Sequence, residues 1–205
     1  MGLNYRSKAA RAGRDLPTDP ILFLAAPTSV AAPGARVAVP AGVTEEMDYE
    51  AEIALVIGRP LYRASESQVW DCIAGITSAN DMTARDVMRA TATPVLAKSF
   101  PGFKPLGPSV CTVDEFAQRD DIPVRSWVND ELQQDDTSAG FIFQVPELLA
   151  RISRHTPLRP GDVVLTGTPA GTGQDRGCFL VPGDRIRIEI GPLLPLITTV
   201  VDGHT

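Results

Sequence analysis

The chain has 205 residues, 43% of them hydrophobic, which suits one domain, residues 1–205, with a substantial core. Nineteen lysines and arginines stand against 25 aspartates and glutamates, and the net charge of −6 excludes the electrostatic footprint of a nucleic-acid binder or of a protein drawn to anionic membranes. The basic amino terminus (Arg6, Lys8, Arg11, Arg14) lacks the apolar stretch of a signal peptide, and no apolar run is long enough to span a bilayer.

Glycine and proline are scattered along the whole length, the pattern of many short strands joined by turns. Arg36-Val37-Ala38-Val39-Pro40 reads as a short strand and residues 50–57 as a longer one, separated by the connector Thr44-Glu45-Glu46. Ser65 with Gln68 forms a capping-box pattern, and Val69, Trp70 and Ile73 supply the apolar stripe of a short helix running out near Gly75. Residues 76–79 then read as a strand ending at Asn80-Asp81, followed by a second short helix beginning around Thr83. Residues 124–128 with the turn Asn129-Asp130 suggest a hairpin, and 145–152 have helical spacing in Leu148, Leu149 and Ile152.

Pro160-Gly161-Asp162 and Pro182-Gly183-Asp184 each precede a strand, and the second strand, 185–190, alternates strictly between polar and apolar residues. Thr166-Gly167-Thr168-Pro169-Ala170-Gly171-Thr172-Gly173 reads as a flexible loop between strands. The elements together predict a mostly β, barrel-like or roll-like fold with a few helices. Cys72, Cys111 and Cys178 are odd in number and widely spaced, which suggests neither a disulfide framework nor a zinc knuckle and suits a reducing cytoplasm.

The most informative local feature is the pair Glu50 and Glu52 at the head of the apolar run 53–57. Carboxylates two apart on a strand project to one face, and two like charges held that close call for a cation. Asp81, at the predicted end of another strand, would complete an all-oxygen set of the kind that hard cations such as Mg2+, Mn2+ or Ca2+ prefer. Only His155 and His204 are available, neither near these motifs, which argues against a histidine-rich zinc or iron site. The pair also fits a solvated acidic strand end, and Asp81 a helix cap. Lys98 reads as an acid or base, or as a surface lysine beside a turn. Arg85 reads as a clamp for an anionic substrate or as a structural partner of Asp86 or Glu52. Thr168 offers a hydroxyl from its glycine-rich loop.

Taken in order, Gly2-Leu3-Asn4-Tyr5, Asp48-Tyr49-Glu50-Ala51-Glu52, Asn80-Asp81-Met82-Thr83-Ala84-Arg85-Asp86, Lys98-Ser99-Phe100, Pro105-Leu106-Gly107-Pro108 and Thr166-Gly167-Thr168-Pro169-Ala170-Gly171 resemble the motifs of the fumarylacetoacetate hydrolase family. The resemblance runs from the second residue to about Ile190. It implies an α+β, mostly β fold, a mixed β-sandwich roll with a few short helices, in a homodimer. It also implies a divalent metal, commonly Mg2+, on Glu50, Glu52 and Asp81, with Lys98, Arg85, Gln134 and Thr168 lining a pocket for a small 2-oxo acid.

The chain departs from the family's hydrolytic pattern. The histidine and glutamate that activate water there are replaced by Lys8 and Arg11, the preceding aspartate by Ser7, and an arginine before Gln134 by Gln133. The strand that leads into the Asn-Tyr motif is also missing, and Lys8 reads either as a substitute base beside the cation or, as favoured here, as a flexible, protonated lysine on a terminal segment. Decarboxylation or isomerisation of a 2-oxo or β-diketo acid, which needs chiefly a stabilised enolate, is therefore favoured. Hydrolysis of an acylpyruvate-like carbon–carbon bond is the alternative, and an inactive binding subunit a further one.

Overall fold

A computed structural model describes residues 1–203; His204 lies outside the described residues. In chain order the strands are β1 (Val30–Ala31), β2 (Arg36–Ala38), β3 (Met47–Asp48), β4 (Ala51–Ile57), β5 (Ile73–Asn80), β6 (Thr83–Ala84), β7 (Lys104–Cys111), β8 (Pro123–Val128), β9 (Glu131–Thr137), β10 (Val163–Leu165), β11 (Arg185–Ile190) and β12 (Leu196–Val201). The helices are α1 (Arg6–Arg11), α2 (Glu66–Val69), α3 (Arg85–Thr91), α4 (Pro94–Lys98), α5 (Val145–His155) and α6 (Gly173–Arg176). One five-stranded sheet runs β1-β7-β5-β4-β10, the other β2-β12-β11-β8-β9, with β3 and β6 as a separate pair. The β1–β7 and β2–β12 pairs are parallel. Strands β11 and β12 lie against β5 and β7, and β8 against β4, which makes the mostly β sandwich roll with few short helices that the sequence implied.

Burial follows the sequence patterns. Along β11, Ile186, Ile188 and Ile190 face the core while the arginines and Glu189 face outward. Strand β4 is buried on both faces over most of its length, because β5 and β10 flank it and the second sheet covers it. Burying each such large aliphatic side chain contributes roughly 1.5–3 kcal/mol.

The turns are equally specific. Asn129 and Asp130 both have positive φ, 50° and 68°, so the β8–β9 hairpin closes with the mirror-image turn whose twist matches paired strands. In both Pro-Gly-Asp turns the glycine takes positive φ, 91° at Gly161 and 102° at Gly183. The aspartate carboxylate then accepts from the amide three residues back, Asp162 from Arg159 at 2.7 Å and Asp184 from Val181 at 2.8 Å.

Several boundaries differ from expectation. The capping box at Ser65 and Gln68 is present, but the helix tightens at Trp70–Cys72 and β5 already starts at Ile73. Gly75 therefore lies inside a strand, where a Cβ would meet the Cys111 carbonyl oxygen at 2.6 Å. Thr83 and Ala84 pair with β3 instead of opening a helix, and α3 starts at Arg85. The loop 166–173 is not a loose surface loop: Thr166, Thr168 and Thr172 are buried. Among the described residues no helix is long and apolar enough to cross a membrane.

Candidate functional site

The β4–β5 register builds the site. Ala51 pairs with Asn80 and Glu52 with Ala79, and just beyond the ladder the Asp81 amide donates to the Glu50 carbonyl at 2.9 Å. Glu50 and Asp81 are thus set side by side at the strand ends, and the two-residue period places Glu52 on the same face as Glu50. One carboxylate oxygen from each of Glu50, Glu52 and Asp81 lies within 4.8 Å of the others, and all three residues are buried.

Three buried cations surround this set. Lys98, at the end of α4, donates to Glu50 Oε2 at 2.7 Å and to Asp81 Oδ2 at 2.8 Å. Arg85, opening α3, bridges Glu50 Oε1 at 2.6 Å and Asp48 Oδ2 at 2.7 Å. Lys104, opening β7, pairs with Asp81 Oδ1 at 2.5 Å and donates to the Lys98 carbonyl at 2.5 Å. Lys98 is thus a buried ion-pair partner and not the surface lysine that its neighbourhood also allowed. Arg85 pairs with Asp48 and Glu50, whereas the sequence had offered Asp86 or Glu52.

Titration directions follow these contacts. Burial pushes Glu50 and Asp81 up, but the ammonium of Lys98, with Arg85 for Glu50 and Lys104 for Asp81, outweighs it and holds both below the usual carboxylate range. Burial pulls Lys98 down, and Asp81 and Glu50 more than offset it, so Lys98 is held as an ammonium. Burial and the neighbouring Lys98 lower Lys104, and Asp81 restores only part. Glu52 differs from the other two acids. One oxygen accepts from the Gly167 amide at 2.6 Å, the other is buried without a hydrogen-bond partner, and burial, with repulsion from Asp81 and Glu50, pushes its pKa up to about 8.

The outer wall is a closed hydrogen-bond network. Gln134 on β9 accepts from the Ala51 amide and Ser126 Oγ, and donates to Thr168 Oγ1 and the Pro169 carbonyl. Thr168 donates in turn to the Ala51 carbonyl at 2.9 Å. Both residues therefore stand beside β4 with their side-chain bonds directed inward to the protein. Lys8 belongs to α1 and is not on a loose terminus: its Nζ donates to Thr172 Oγ1 at 2.7 Å and Asp175 Oδ2 at 2.8 Å.

Two site residues escaped sequence reasoning. Asp48 accepts from the Tyr49 and Gly173 amides at one oxygen and from Arg85 and the Gln174 amide at the other. Its position two residues before Glu50 was the only signal for it. Lys104 had none beyond an apolar setting between Phe103 and Pro105.

The arrangement has clear relatives. The chain is 35% identical over 197 residues to an oxaloacetate tautomerase, YisK, of Bacillus subtilis (strain 168), covering 94% of this chain and 65% of that protein. It is 34% identical over 202 residues to a 4-hydroxyphenylacetate degradation bifunctional isomerase/decarboxylase of Salmonella dublin, covering 98% of this chain and 46% of that protein. The chain thus spans roughly half to two thirds of the length of these two relatives. Among solved structures, a putative HpcE protein from Mycobacterium smegmatis superposes with a TM-score of 0.92 at 36% identity, over 98% of this chain and 73% of that one. Residues 1–201 match the model of the fumarylacetoacetate (FAA) hydrolase C-terminal domain, and with that match and these relatives the chain belongs to the fumarylacetoacetate hydrolase family.

Proposed function

We propose that this protein is an enzyme that binds a small 2-oxo or β-diketo acid at a divalent cation, Mg2+ in the first instance, held by Glu50, Glu52 and Asp81, and that it catalyses isomerisation or decarboxylation through an enolate. The observation that carries the reading is the partnerless, buried Oε1 of Glu52 within reach of the Glu50 and Asp81 carboxylates. A buried carboxylate oxygen without a partner is costly, and a hard cation with oxygen ligands removes that cost. The cation would supply Lewis-acid polarisation of the substrate's oxygens and offset enolate charge.

The chain's own residues divide the remaining work. Lys98, held as an ammonium against Glu50 and Asp81, would give a proton to the substrate and take one back. Arg85 fixes the Glu50 carboxylate from the opposite side and adds positive charge toward an acidic substrate. Gln134 and Thr168 tie β4, β9 and the loop 166–173 into one hydrogen-bonded wall. The tautomerase and isomerase/decarboxylase activities named for the relatives support this class over hydrolysis. So does Lys8, whose amine is engaged by Thr172 and Asp175 and is not free to activate water.

The test is to incubate the protein with Mg2+ and oxaloacetate, then with acetylpyruvate, following the enol absorbance and CO2 release. Turnover of oxaloacetate that is lost in Glu50→Ala and Asp81→Ala is expected. Metal binding without turnover of either compound would favour a binding subunit, and unchanged metal affinity in both variants would remove the site itself.

A further inference from the structure

Lys104 is a buried cation for which the proton chemistry proposed above has no use. It pairs with Asp81 through Oδ1, the oxygen that Lys98 leaves free, and its second bond, to the Lys98 carbonyl, anchors it in place. Burying a lysine is unfavourable unless its charge is matched. Here the match is uneven: Asp81 carries two ammoniums, while Glu52 has no ion-pair partner among the described residues.

An ammonium and a divalent ion that share one carboxylate repel each other, and a buried setting screens that repulsion far less than water does. We propose that Lys104 is an internal counter-cation of the carboxylate site, weakening its hold on a divalent ion and adding positive charge for an anionic ligand once the ion is bound. The inference rests on the metal reading given above. It separates two demands on one site, since the charge that loosens the ion strengthens the attraction for the acid that follows it.

The experiment is a Mn2+ titration followed by the electron paramagnetic resonance signal of the free ion, on wild-type protein, Lys104→Gln and Lys104→Arg. Lys104→Met serves as a second neutral variant, and circular dichroism checks that each is folded. The neutral variants should bind Mn2+ at least about tenfold more tightly, the scale on which groups beyond the direct ligands tune metal affinity. Lys104→Arg should stay close to wild type. Oxalate, a dianion with adjacent oxygens like those of an enolised 2-oxo acid, should bind the Mn2+-loaded neutral variants more weakly than the loaded wild type. A residue that merely propped up the fold would not move the two affinities in opposite directions. Mn2+ binding that is unchanged or weaker in the folded neutral variants overturns the proposal and leaves the metal reading standing. No Mn2+ binding in wild type and in both neutral variants overturns the two together.

Discussion

The backbone amide of Gly167 donates to Oε2 of Glu52 at 2.6 Å, so the carboxylate that forms no ion pair with Lys98, Lys104 or Arg85 is held by the loop following β10. Burial and repulsion from Asp81 and Glu50, and not this contact, set how Glu52 responds to pH.

Glu52 has a folded pKa of about 8 against an ordinary value of 4.5. The native state therefore binds this proton more strongly than the unfolded chain, and stability falls as pH rises between those two values. Metal-free protein should lose stability from pH 5 to pH 8 in urea unfolding, Glu52→Gln should flatten that slope, and Mg2+ should restore most at the alkaline end. A flat profile in the metal-free wild type would show that Glu52 is ionised without help.

Asp48 links β3, α3 and α6 through four accepted hydrogen bonds, one of them from Arg85. Removing the carboxylate leaves three backbone amides without their acceptor and Arg85 with Glu50 as its remaining partner, and Asp48→Ala should cost about 3–5 kcal/mol in equilibrium unfolding. Asp48→Asn should retain much of the stability but lower kcat, because Arg85 loses one of its two charged partners and pulls harder on Glu50. A loss below 1 kcal/mol for the alanine variant, on the scale of exposed pairs, would contradict the buried geometry.

Lys8→Ala breaks the tie between α1 and Asp175. The expected cost is about 1 kcal/mol, with oxaloacetate turnover per folded molecule unchanged. Loss of acylpyruvate cleavage in this variant would instead make Lys8 part of a hydrolytic mechanism.

Gly171 has φ of +104°, and a Cβ there would run into the carbonyl of Gln133 on β9. Gly171→Ala should destabilise by at least about 1–3 kcal/mol from backbone strain alone, and it should also loosen the Gln134–Thr168 contact that stiffens the wall. A melting temperature equal to wild type would mean that the loop has room to move.

What was legible in the chain was whatever local chemistry decides. The two-residue period placed Glu50 and Glu52 on one face, Asn129-Asp130 closed the hairpin, and each Pro-Gly-Asp announced the strand behind it. Helix starts were less legible: Thr83 is equally at home in a strand, and pairing with β3 settled it. Lys98 and Lys104 were ambiguous for a different reason. A lysine's burial depends on carboxylates far away in sequence, and only the β4–β5 register brings Asp81 beside Glu50. Asp48 was hidden by its bonds to Gly173 and Gln174, contacts between distant segments that no short motif encodes.

The sheet that carries the carboxylates ends in β10, of three residues, and β1, of two. Strands that short offer a neighbouring chain almost no open ladder on which to add itself. On the β10 side, the sheet holding the buried carboxylates thereby ends in a strand too short to recruit another chain, and β4 behind it can be as apolar as the core requires.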